Sequence, residues 1–152
     1  MPEDESIDVL LGQLDAVQAR VRELVSGRDD AELAWRPSNG DWSVLENVRH
    51  LLFAEEAHLG RFVPGGLTLS TIGLPTTPLA SKLPQVGGTP PSSMGEVVDA
   101  WAAVHARVVA VLPEQDTHAV RYRLGRHLNH QRRHTTAIER VLRAQARAVG
   151  AR

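Results

Sequence analysis

Apolar residues recur at three- and four-residue spacing in four stretches of the chain, the repeat of amphipathic helices. The first stretch, about Ser6 to Ser26, carries Ile7, Leu10, Leu11, Leu14, Val17, Val21, Leu24 and Val25. Ser6 is placed to cap it and Gly27 to stop it. Arg28 to Asp41 reads as a connector, with Trp35, Pro37 and the turn-forming pair Asn39-Gly40. A second helix starts near Ser43, where Ser43-x-x-Glu46 has the form of a capping box, and runs to about Phe62 before Pro64-Gly65-Gly66. Its wheel puts Val44, Val48, Leu51, Leu59 and Phe62 on one face. His50, Ala54, Ala57 and Arg61 lie on another stripe, with Asn47 nearby. This helix is therefore expected to bury two faces, one against a bundle and one against a partner chain. Glu55 falls within the apolar face, and an exposed end of that face is the simplest account of a carboxylate there.

Pro64 to Ser92 is irregular, with six prolines and five glycines. Its leucines point to a loop packed on the body, and loops of this length in compact domains are often functional lids. The third helix runs from about Ser93 to Leu112, with Met94, Val97, Val98, Trp101, Val104, Val108 and Leu112 as its stripe and His105 inside it. A connector around Glu114 to Val120 leads to the last helix, about Arg121 to Val149. There Ile138, Val141 and Ala148 mark the buried face, while Arg132, Arg133, Arg140, Arg143 and Arg147 mark the solvent side. No strand pattern stands out. Four such stripes predict an all-α protein, most economically a four-helix bundle, with a long irregular loop between helices two and three.

Composition narrows the chemistry. A chain of 152 residues suits one domain, and 42% hydrophobic residues supply a core. The formal net charge of −1 and the absence of a recognised motif beside the arginine face argue against a nucleic-acid binder. No apolar run approaches the ~20 residues needed to span a bilayer. The N-terminus begins acidic and turns amphipathic, unlike a signal peptide, which predicts a soluble cytoplasmic protein. With no cysteine there is no thiolate ligand and no cysteine nucleophile. Any metal falls to His, Asp or Glu, and the chain has seven histidines.

His130 and His134 are four residues apart, so both imidazoles project from one helix face, on the stripe continued by Ile138 and Val141. That spacing suits two ligands of one ion and points both into the bundle. His127 shares the face but lies roughly 10 Å from His134 along the axis, too far for both to reach one ion. It is assigned a supporting or packing role, or a place at the mouth of the site. A third ligand then comes from another helix: His50, His58 or His105. Periodicity favours His105, because it lies on an apolar stripe. His118 reads as an exposed bystander and His58 as a packing residue.

Trp35-Arg36-Pro37 followed by Asp41-Trp42-Ser43-Val44-Leu45-Glu46-Asn47-Val48-Arg49-His50-Leu51 resembles the opening of the DinB-like superfamily. Asn129-His130-x-x-x-His134 is similar to that superfamily's second motif. The resemblance spans essentially the whole chain. It implies a four-helix bundle with an up-down-down-up arrangement and a divalent metal held by one residue of the second helix and two of the fourth. By position these are His50, His130 and His134, which displaces His105. Some relatives have glutamate where this chain has His130, and His127 does not stand where many carry an additional histidine.

The resemblance also implies a function, since the superfamily includes transferases that use low-molecular-weight thiols such as mycothiol or bacillithiol. Three neutral imidazoles leave a divalent ion open positions and its full charge, which would deprotonate a bound thiol. The expected protein is a metal-dependent thiol S-transferase whose thiol and electrophile are both small-molecule partners. Zinc or nickel suits such a site best, with iron or manganese as further options. Two other readings stand beside it: a metal-dependent hydrolase using metal-bound hydroxide, and a non-catalytic binding protein whose dimer surface is the function. The two-faced second helix predicts a homodimer. Asn47 and Arg61, on the His50 stripe, are candidates to orient a ligand or bind an anionic substrate.

Overall fold

The computed structural model describes residues 5–74 and 88–150. Among these residues every regular element is helical: α1 (Ile7–Val25), α2 (Asp30–Leu33), α3 (Val44–Leu59), α4 (Met94–Val111) and α5 (His118–Gly150). Short 3-10 turns follow α3 (Gly60–Phe62) and α4 (Leu112–Glu114), and another stands at Thr71–Gly73. No helix of the described residues is long and apolar enough to cross a membrane.

Local sequence sets the helix ends. The Ser6 hydroxyl accepts from the Val9 N–H at 3.2 Å, satisfying one of the unpaired donors of the first turn of α1. Gly27, at φ +72°, takes the left-handed conformation that turns the chain away after α1. Ser43 and Glu46 form the expected capping box of α3. Glu46 is also gripped by Arg36, whose Nε donates to it at 2.7 Å, so the Arg36-Pro37 connector is fastened to the helix it precedes.

Three features depart from the sequence reading. The connector contains α2, where Asp30 accepts from the Met94 N–H at 2.9 Å and so caps α4 from a distance in sequence. The last helix starts at His118, three residues earlier than expected, because the Thr117 hydroxyl accepts from the Val120 N–H. Ala148 is exposed. At 33 residues α5 greatly outlasts helices of 16 to 19 residues, and beyond Gln145, which donates to the Glu32 carbonyl at 3.1 Å, its last residues are exposed.

α3 packs on α5 and α4, and α1 packs on α5. Their apolar faces form two clusters. One gathers Val21, Val44, Val48, Leu51, Met94, Trp101 and Ile138; the other gathers Leu10, Leu14, Leu59, Val108, Leu124 and Leu128. Each helix switches clusters at buried polar residues: Gln18 in α1, Glu55 in α3, His105 in α4, Gln131 and Thr135 in α5. A polar layer thus divides the core.

The start and end of the long loop are strapped to α3. The buried Arg49 side chain donates to the carbonyls of Ile72 at 2.6 Å, of Leu74, and of Thr89 at 3.3 Å. Gly73 lies so close to α3 that a Cβ there would sit 3.2 Å from the Phe53 nitrogen. The lid expected over Pro64–Ser92 falls partly on residues 75–87, outside the described residues.

Candidate metal centre

α3 and α5 bring His50, His130 and His134 together, with one ring nitrogen from each lying within 4.8 Å of the others. His50 Nε2 and His130 Nε2 are 3.1 Å apart. With metal–imidazole bonds of ~2.0–2.1 Å, donor atoms on one ion lie roughly 2.9–3.4 Å apart, so this pair fits one ion. The rings are half-buried, at the edge of the helix packing and not inside it as the wheel implied. α3 and α5 meet side by side here, which leaves the rings a solvent-facing edge.

Two carboxamides select the ring tautomers. Asn47 donates from Nδ2 to the Ser43 carbonyl at 3.0 Å, which turns its Oδ1 toward His134 Nδ1 at 2.9 Å. Gln131 donates from Nε2 to the Leu51 carbonyl at 3.1 Å, which turns its Oε1 toward His130 Nδ1 at 2.9 Å. Each Nδ1 therefore carries the proton and donates it, and each Nε2 keeps a free lone pair. Metal-binding histidines depend on this kind of backing. Trp42 closes one side, with its ring 5.4 Å from His50 and 6.1 Å from His134. Burial pushes the His50 imidazole down to about 4 and His134 to about 3, with the neighbouring imidazoles adding to the effect. His130 is lowered in the same way. The three rings are neutral at pH 7, the state a metal ligand needs.

Beside this cluster runs a second polar chain. Glu55 is fully buried. The exposed-end account of it fails because two other helices supply its partners. Trp101 Nε1 donates to Oε1 at 3.1 Å, and His105 Nδ1 donates to Oε2 at 2.9 Å. Burial would raise the Glu55 carboxyl, but His105 and the neighbouring His127 outweigh it and hold it well below its ordinary value. Burial likewise lowers His105, and its bonds to Glu55 and Asp15 reverse that into a net rise. His105 Nε2 bonds the half-exposed Asp15 of α1. His105 is thus committed between two carboxylates and does not join the triad.

His127 Nε2 faces Glu55 at 3.7 Å, and its Nδ1 lies 3.0 Å from His58 Nδ1. An ionised Glu55 favours the proton on His127 Nε2, which leaves Nδ1 to accept from His58. The His58 ring in turn meets His130 edge to face at 5.2 Å. His58, read as a packing residue, and His127, read as a supporting one, therefore link the carboxylate cluster to the triad. His118 is exposed as expected, stacked on Tyr122. Of the two candidate orienting residues, Asn47 is at the site, while Arg61 is exposed over the Phe62 ring.

Gln131, Asp15 and Trp101 were not legible as site partners. A signal existed for Glu55 and His105, since each is a lone ionisable residue on an apolar stripe, and such residues need one another.

A sequence model described as DinB superfamily matches residues 13–147. Nothing among the curated proteins and nothing among the solved structures matches the chain.

Proposed function

The chain belongs to the DinB superfamily, and on that premise we propose that it is a divalent-metal-dependent enzyme that transfers a low-molecular-weight thiol, of mycothiol type, to an electrophilic small molecule. His50, His130 and His134 would hold the ion, with zinc or nickel favoured by the all-imidazole donor set. The observation that carries this reading is the pair of backbone-anchored amides, Asn47 and Gln131, which leave two Nε2 lone pairs facing the third histidine. When bound, the ion supplies the positive charge that stabilises a thiolate. The protein has no cysteine, so the sulfur arrives with a substrate. Trp42 shields one side of the cluster, and the half-exposed ring edges leave the other open to the thiol.

Protein purified without a histidine tag is expected to carry one metal per chain, lost in His134→Ala. Turnover of an electrophile panel is expected only when thiol is added. Metal-loaded protein that neither binds nor consumes thiol overturns the transferase reading, and thiol-independent hydrolysis favours the hydrolase.

The proposal extends to architecture. We read the chain as a single domain, a four-helix bundle running up-down-down-up. The order in which helices visit the two apolar clusters supports this: α1 and α5 start in the cluster of Leu10 and Leu124, α3 and α4 in that of Val44 and Met94. A homodimer is proposed as well, with a light-scattering mass of about twice the 16.6 kDa chain expected; a monomer at micromolar concentration counts against it.

A further inference from the structure

A cavity of about 450 Å³ opens against His134. Its floor is a stripe of α5: His134, Ala137 and Val141, one helix face about two turns long. Trp42 and Asp41, from the connector before α3, stand on one side, and Arg133 and Arg140 run alongside the stripe. The same indole that borders the cavity packs on both His50 and His134, so the cavity reaches the histidine cluster.

The lining is apolar in the middle and charged along its length. Ala137 and the Trp42 ring offer a surface for a flat hydrocarbon body, over the buried Val141. Two guanidinium groups stand against one carboxylate, which leaves a positive excess. Arg140 lies two turns from Arg133, roughly 10 Å along the axis, and its Nε is only 3.7 Å from Asp41 Oδ2. That contact is loose and half-exposed, and an incoming anion can replace it. The other arginines of the solvent row, Arg132, Arg143 and Arg147, do not line the cavity.

We propose that this cavity seats the electrophile as an elongated organic anion, its oxyanion group at Arg140, its flat body on Trp42 and Ala137, and its reacting end at His134. The assignment of the occupant as the electrophile rests on the metal-enzyme reading above; the anion seat itself does not. Charge selects the ligand at one end and the length of the stripe sets the distance to the other.

The test uses 4-phenylbutanoate and its neutral amide as probes, titrated calorimetrically into metal-loaded and chelator-stripped protein. The carboxylate is expected to bind at least ten-fold more tightly than the amide in both forms, with the advantage shrinking as salt is added. Arg140→Gln is expected to remove most of that advantage without changing amide affinity or metal content. Asp41→Asn is expected to strengthen carboxylate binding at least two-fold. Equal binding of the two probes, no saturable binding of the carboxylate, or an advantage untouched by Arg140→Gln overturns the seat. An advantage that vanishes on metal removal overturns it too, because the carboxylate was then coordinating the ion. Protein that holds no stoichiometric metal yet keeps the Arg140-dependent preference refutes the metal-enzyme reading alone.

Discussion

Glu55 is the residue whose replacement most directly tests how the core is organised. It is fully buried and ionised, and it accepts from Trp101 at 3.1 Å and His105 at 2.9 Å. In Glu55→Leu both donors lose their acceptor, and His105 is left buried without its main counter-charge. Removing one partner of a buried ion pair costs about 3–5 kcal/mol. The leucine's own burial returns up to ~2 kcal/mol, for a net loss of about 3 kcal/mol. In a chain of this size that corresponds to a fall in Tm of roughly 6–12 °C. Glu55→Gln behaves differently. Its oxygen accepts from Trp101, its amide donates to a neutral His105 Nδ1, and His105 Nε2–H still serves Asp15. The Trp101 and His105 donors and acceptors all keep partners, and the cost falls to about 1 kcal/mol. Thermal and urea melts of the two variants, followed by near-ultraviolet circular dichroism, give the comparison. A leucine variant as stable as the parent, or a glutamine variant that falls as far as the leucine one, would refute the reasoning.

The metal-free protein is expected to be most stable near neutral pH. His50, His58 and His134 are depressed to about 4, 4 and 3. The unfolded chain therefore binds their protons first as pH falls below about 6.5, and stability drops on the acid side. His105 is raised, so its contribution is full below about 6.5 and lost as pH climbs through its folded value. Chemical denaturation between pH 4 and 9 reads both limbs, and Glu55→Gln is expected to flatten the alkaline one. Asn47→Leu removes the acceptor that sets the His134 tautomer and is expected to weaken metal affinity 10–100-fold, read by competition with a chelator; an unchanged affinity means that Asn47 does not orient the ligand. Arg49→Met strips a charged donor from three loop carbonyls and is expected to cost about 2–3 kcal/mol in a urea melt; a loss under ~0.5 kcal/mol would show that the strap adds little.

Much of the fold was legible because helices are written locally. The Ser6 cap, the Ser43/Glu46 box and the three-four spacing of Val44, Val48 and Leu51 all lie within a few turns of chain, and each reappears in the structure. The spacing of His130 and His134 likewise put two imidazoles on one face. α2 was missed because it is a single turn, too short for a period to register, and its role lies in capping α4 through Asp30.

Sequence alone thus determined the four long helices, the main apolar stripe of each, and that His130 and His134 project together. Its motif resemblance added His50. Tertiary structure alone decided what each polar residue on those faces meets. Helical periodicity fixes an angle around an axis, but the height at which one helix sits against another depends on packing along their whole length. That height aligns Glu55 with Trp101 and His105, 46 and 50 residues away, and His58 with His127, 69 away. The carboxylate that looked like an exposed edge is therefore the hub of a buried layer, and His105, the ligand that periodicity favoured, is held by its counter-charges instead.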